Sequence, residues 1–129
     1  MERGILGAVA LMFAAQGAVM LAAPHWWYGA VPGVALTGPF NGHFVFDIGL
    51  IFAVSALVIL GGAWRGDAGL CLAGLGWPLA HALYHLWLTA TQAKCAEGEL
   101  AANLAGIQAP VWIGLLAVAA MLKRKGPNQ

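Results

Sequence analysis

Four apolar runs fill most of this chain: Gly4 to Ala23, Phe40 to Ala63, Ala68 to Thr91 and Asn103 to Leu122. Each is about 20 residues or longer, the length of helix that crosses the hydrocarbon core of a bilayer. Within all four, Asp47 is the only Asp, Glu, Lys or Arg. Charged residues make up 9% of the chain, against roughly a quarter in soluble domains, so there is too little charge to cover a water-facing surface. The mean hydropathy is +0.80. In lipid a single segment satisfies its backbone polar groups only as a helix. The prediction is an all-α integral membrane four-helix bundle, a single domain over 1–129 with helices at about 4–23, 40–63, 68–91 and 103–122. Its first partner is the lipid bilayer. A net charge of +1 offers no basic face to nucleic acid.

The first run follows Met1-Glu2-Arg3, the charged start of a signal peptide. Its length argues against that: a signal core spans roughly 7–15 residues. It is read as the first spanning helix. Pro24-His25-Trp26-Trp27-Tyr28 then fits an aromatic belt at the membrane interface. Gly29, Pro32, Gly33, Gly38 and Pro39 predict an irregular loop that lies in the interface or folds back on the bundle. Trp64-Arg65-Gly66-Asp67 is a tight turn, Gln92 to Glu99 a polar loop, and Gly126 to Gln129 a short tail. Pro78 and Pro110 fall inside helices three and four.

Basic residues set the orientation. Arg3, Arg65 and Lys123-Arg124-Lys125 lie at one end of the bundle, and Lys94 alone at the other. The positive-inside rule places both termini in the cytoplasm, in a multi-pass protein of a bacterial inner membrane. Cys71 and Cys95 then lie on opposite sides and form no disulfide.

With that topology the polar residues sort by depth. Helices two and three form a hairpin about residues 65 and 66, so positions equidistant from the turn face each other. Asp47 is level with Tyr84, and His43 with Leu88. At about 1.5 Å per residue, Asp47 lies about 10 Å below the outer helix end, His85 about 9 Å and His81 about 15 Å. Gln16, Asn41, Asn103 and Gln108 also fall in the outer half. The inner halves of helices two and four are apolar apart from Ser55. The pattern predicts a polar pocket that opens outward above an apolar floor.

Residues four apart share a helix face. His43 therefore pairs with Asp47, and His81 with His85. Ionisable groups in spanning helices usually face the bundle interior or a cavity, so the two pairs are expected to face one another. His43, Asp47, His81 and His85 would make a first shell for a transition metal ion. Imidazole suits copper, iron and zinc, and a carboxylate balances charge. Such sites are built from i, i+3 or i, i+4 pairs on facing helices. Asn41, His25, Gln16 and Gln108 are candidates for the surrounding hydrogen bonds.

Other readings stand beside this one. The four groups can simply bond each other and join helices, each contact contributing roughly 0.6–2 kcal/mol. Bis-histidine haem b would use His43 with His81 or His85, but Asp47 is a poor neighbour for its face. A proton path through Asp47 and the histidines is a further option. Trp77 and Trp87 line the pocket or fill core, with core favoured. No phosphate loop, GxSxG or HExxH motif is present.

The stretch Pro39-Phe40-Asn41-Gly42-His43-Phe44-Val45-Phe46-Asp47-Ile48-Gly49, with the later histidine pair, resembles a group of small, uncharacterised four-helix bacterial membrane proteins. They share a P-F-N-x-H-F-x-x-D-x-G pattern. The resemblance implies the four-helix plan and the His/Asp site, and it implies no activity. In that group an arginine often precedes the aspartate. Here the position is Phe46, so Asp47 needs another partner.

The expected function is binding of a transition metal ion, copper or iron before zinc, in an outward-facing His/Asp site. The role would be metal handling, or that of an accessory subunit of a membrane oxidoreductase. The alternatives are a structural assembly subunit and a small haem protein. The small size favours a homo-oligomer or a larger membrane complex.

Overall fold

The computed structural model describes residues 1–91 and 98–125. The expectations for Lys94, Cys95, Glu97 and the tail at 126–129 lie outside the described residues. Among the described residues there are helices and turns and no strand. Helix α1 is Glu2–Ala22, α2 is Pro24–Ala30, α3 is Gly42–Arg65 and α4 is Ala68–Thr91. A short α5, Glu99–Asn103, passes through one π-helical turn, Leu104–Gln108, into α6, Ala109–Lys125.

Three stretches are long and apolar enough to cross a membrane: Glu2–Ala22, Gly42–Arg65 and Glu99–Arg124. The fourth expected span, α4, is not among them. It is as long as α3, but Trp77, Pro78, His81, Tyr84 and His85 dilute its apolar content.

α1 packs most extensively on α3, α3 on α4, α4 on α6, and α6 on α1. Each of the four long helices therefore touches two others. The core between them includes Leu6, Phe13, Met20, Phe52, Ile59, Leu75, Val111 and Val118. Small residues set the spacing. A Cβ on Gly17 would lie 2.7 Å from the Gly49 carbonyl oxygen, and one on Gly74 would lie 2.6 Å from Ile59. Without a hydrophobic drive between helices in lipid, such close backbone approach is a main source of packing energy.

The α3–α4 hairpin follows the expected register. Gly62 meets Cys71, and Gly74 meets Ile59. Phe52 meets Trp77 at 5.2 Å and His81 at 6.5 Å between ring centroids. The turn is made by Gly66, whose φ of +68° suits a residue without Cβ. Asp67 Oδ1 then accepts the Leu70 N–H at 3.1 Å and opens α4.

One end of the molecule is clamped by charge. The Arg124 guanidinium donates to both carboxylate oxygens of Glu2 at 3.2 and 3.0 Å. Arg3 donates to the Trp64 carbonyl at 3.4 Å. Carboxylate at a helix start and guanidinium at a helix end also complement the two helix dipoles.

At the other end, the segment expected to be an irregular loop forms α2 and a 3₁₀ turn at Val34–Thr37. Pro24 opens α2, where its missing N–H costs nothing. The Tyr28 hydroxyl donates to the Gly38 carbonyl and ties the turn down.

Candidate functional site

A groove of about 330 Å³ runs between α3 and α4, lined by Leu50, Ile51, Val54, Ser55, Val58, Ala73, Gly74 and Trp77. Asp47 precedes Leu50 by three residues and Ile51 by four, so it continues that wall by one helical turn. His43 continues it by two. On the facing wall His81 follows Trp77 by four residues, and His85 follows His81 by four. By spacing the four expected site residues continue the two helices beyond the groove, and none of them lines it.

They do not form one cluster. His43 Nε2 and Asp47 Oδ2 are 3.3 Å apart, with side chains 88% and 51% exposed. They lie on the α3 face turned away from the core, Asp47 roughly 160° around the helix from buried Val45 and Gly49 and His43 roughly 120–160° from them. The α4 pair packs inward. The His81 ring stacks on Trp77 at 4.8 Å and 12° and meets His85 at 4.6 Å and 67°. Its edge also meets Phe52. Among the described residues, no three His, Cys, Asp or Glu side chains gather closely enough to hold a metal ion. The expected four-residue metal shell is therefore not assembled. Sharing a face within each helix did not make the two faces point at each other.

The residues expected to surround that shell have other work. Asn41 caps α3, accepting the Phe44 N–H at 3.2 Å. His25 stacks on Phe40 at 3.8 Å. Gln16 is half-buried on α1 and joins none of the hydrogen bonds around the site.

Gln108 belongs to a separate network. Its Nε2 donates to the Ala82 carbonyl at 2.9 Å and to Asn103 Oδ1 at 3.1 Å. Its Oε1 accepts from Trp112 Nε1 at 3.0 Å. Asn103 Nδ2 donates to Thr89 Oγ1 at 3.1 Å, and that hydroxyl donates to the His85 carbonyl at 2.8 Å. The π turn makes this possible. Its i→i+5 bonding puts residues five apart about one turn apart, which brings Asn103 and Gln108 together. The network fastens the C-terminal part of α4, and with it the His85 turn, to the helix that follows.

No family model, curated protein or solved structure matches the chain. Site chemistry carries the functional argument.

Trp77 is the residue that sequence reasoning undervalued. It packs on the core and also lines the groove. Its place four residues before His81 was a signal for the stack. Tyr84 and Trp87 form a second stacked pair at 5.9 Å and 27°, both largely exposed. The groove therefore has an apolar lining with one indole, while the Asp47–His43 pair stands separately on the exposed side of α3.

Proposed function

We propose that the protein is a multi-pass four-helix bundle of a bacterial inner membrane, both termini cytoplasmic, in the group it resembles. In this reading it binds a small ligand at the outer end of the α3–α4 groove, through Asp47, His81 and the flanking His43 and His85. What supports this reading is helix spacing: Asp47 stands three and four residues before the lining residues Leu50 and Ile51, and His81 stands four after the lining residue Trp77. A carboxylate facing acyl chains costs roughly 2.5–3.5 kcal/mol on insertion scales. Asp47 is half exposed, so a polar ligand or partner beside it offsets a real penalty. Although α4 is not among the candidate spans, its contacts with both α3 and α6 support its place inside the bundle.

A second reading keeps the transition metal ion, copper or iron before zinc. The observation in its favour is the His81–His85 pair, two adjacent imidazoles with ring centroids 4.6 Å apart. Two further ligands would come from His43 and Asp47 after the walls close, or from a second copy.

The test is direct. Protein purified in detergent is assayed for metal, for its optical spectrum and for bound organic molecules by mass spectrometry. A stoichiometric organic ligand lost in Asp47→Ala and His81→Ala supports the groove reading. Stoichiometric metal lost in Asp47→Ala and His85→Ala replaces it with the metal reading, and a Soret band replaces both with haem. Neither ligand nor metal, with subunit dissociation in Asp47→Ala, favours an assembly subunit.

A further inference from the structure

At the end of α3 away from His43 and Asp47, two guanidinium groups and an indole come together at one turn. We propose that the Trp64-Arg65-Gly66 turn, with Arg3 laid against it, binds the phosphate headgroup of an anionic phospholipid. This site is independent of whatever the α3–α4 groove takes.

The turn stands where two candidate membrane spans end. α1 begins at Glu2 and α3 finishes at Arg65, and both are long and apolar enough to cross a bilayer. Arg3 reaches from α1 to the turn. It donates to the Trp64 carbonyl at 3.4 Å, and a Cβ on Gly66 would lie 2.9 Å from its Cζ. The guanidinium of Arg3 is thus held beside the backbone that carries Trp64 and Arg65.

The charges of both arginines are left over. The carboxylate of Glu2 is taken by Arg124 at 3.0 Å and by the amino terminus at 3.6 Å. Among the described residues no ion pair uses Arg3 or Arg65, and the Arg65 side chain makes no hydrogen bond. Asp67 is also exposed, but its Oδ1 accepts the Leu70 N–H at 3.1 Å, at a helix start that favours a negative charge. A guanidinium has five N–H donors and pairs with phosphate in a fork geometry. Arg3 spends one donor on the fold and Arg65 spends none.

Trp64 argues for a lipid over a soluble anion. It is 85% exposed, and an indole with an apolar body and one N–H is at home at headgroup level. Charge argues for an anionic lipid over a zwitterionic one. Phosphatidylcholine brings its own cation, which the two guanidinium groups repel. Phosphatidylglycerol brings the phosphate alone.

The experiment mixes the full chain in mild detergent with equimolar phosphatidylglycerol and phosphatidylcholine and reads retained lipid by native mass spectrometry. Phosphatidylglycerol should be retained about tenfold over phosphatidylcholine. Arg65→Gln breaks no contact of the fold and should keep the thermal midpoint. It should cut the preference about fivefold, the scale of one basic residue near an anionic surface. Arg3→Gln together with Arg65→Gln should abolish it. Lys123→Gln removes the same charge from α6 and should change it little.

Equal retention of the two lipids overturns the proposal. So does a preference that survives in the double variant. An equal loss in Lys123→Gln and Arg65→Gln would mean diffuse charge at this end and no site at the turn. Displacement of phosphatidylglycerol by a large excess of inorganic phosphate would make the turn a free-anion site and overturn the lipid source.

Discussion

Gln108 shows how much one side chain can hold in an apolar protein. Both ends of its amide are used, on Ala82, Asn103 and Trp112. Gln108→Leu would leave Asn103 Oδ1 and Trp112 Nε1 short of partners. A buried polar atom left alone costs about 1–3 kcal/mol, so the thermal midpoint in detergent should fall clearly. Adding Asn103→Leu should recover part of the loss, because it removes one stranded group, and the two changes should be strongly non-additive. Asn41 makes a smaller and more local prediction. Asn41→Ala removes the α3 cap at a cost of about 1 kcal/mol, and Asn41→Asp retains it. Amide exchange at Phe44 should speed up in the first variant only. An effect of both variants on ligand binding, with no change in exchange, would return Asn41 to the site.

At the scale of helices, the α1–α3 contact depends on glycine where backbones touch. Gly17→Ala would press its methyl on the Gly49 carbonyl, and overpacking of this kind costs about 1–3 kcal/mol. Gly7→Ala, where nothing lies within 4 Å of an added Cβ, should be neutral or slightly stabilising through helix propensity. Thermal melts of the two variants side by side test the packing directly. Long helices and hairpin register were legible in the sequence because both follow from run length and from the turn at Gly66. α2 was missed because its glycines and prolines were read as breakers, although Pro24 stands at a helix start, where proline is at home. The π turn left no sequence signal beyond Pro110 and the polar pair five residues apart. Asp47 was expected to face the α4 histidines and lies instead on the exposed side of α3. The rule that ionisable groups point inward was applied to it. Yet the small and apolar residues Val45, Gly49, Phe52 and Ala56 already marked the opposite face of α3 as the packed one.

For the whole molecule, the two ends differ in kind, and that difference fixes a testable orientation. One end gathers Glu2, Arg3, Trp64, Arg65 and Arg124, tied by the Glu2–Arg124 and Arg3–Trp64 contacts. The other holds α2, the 3₁₀ turn and the mouth of the groove, and no Lys or Arg lies between Gly4 and Trp64. By the positive-inside rule the first end is expected in the cytoplasm, and the groove end nearer α2 would then lie toward the periplasmic side. Leu36 and Trp64 report on the two ends, being 76% and 85% exposed. In a background with Cys71→Ala and Cys95→Ser, Leu36→Cys should react with a membrane-impermeant maleimide on spheroplasts. Trp64→Cys should react only after the membrane is opened. The reverse pattern would overturn the orientation and would place the groove mouth on the cytoplasmic side, without touching the packing of the helices. Equal labelling of both before opening would mean that the chain does not separate the two compartments. Replacing Arg3 and Arg65 together with Gln should erode the preference, because three basic residues at 123–125 would then act alone. A mixed population of Leu36→Cys labelling is the expected signature.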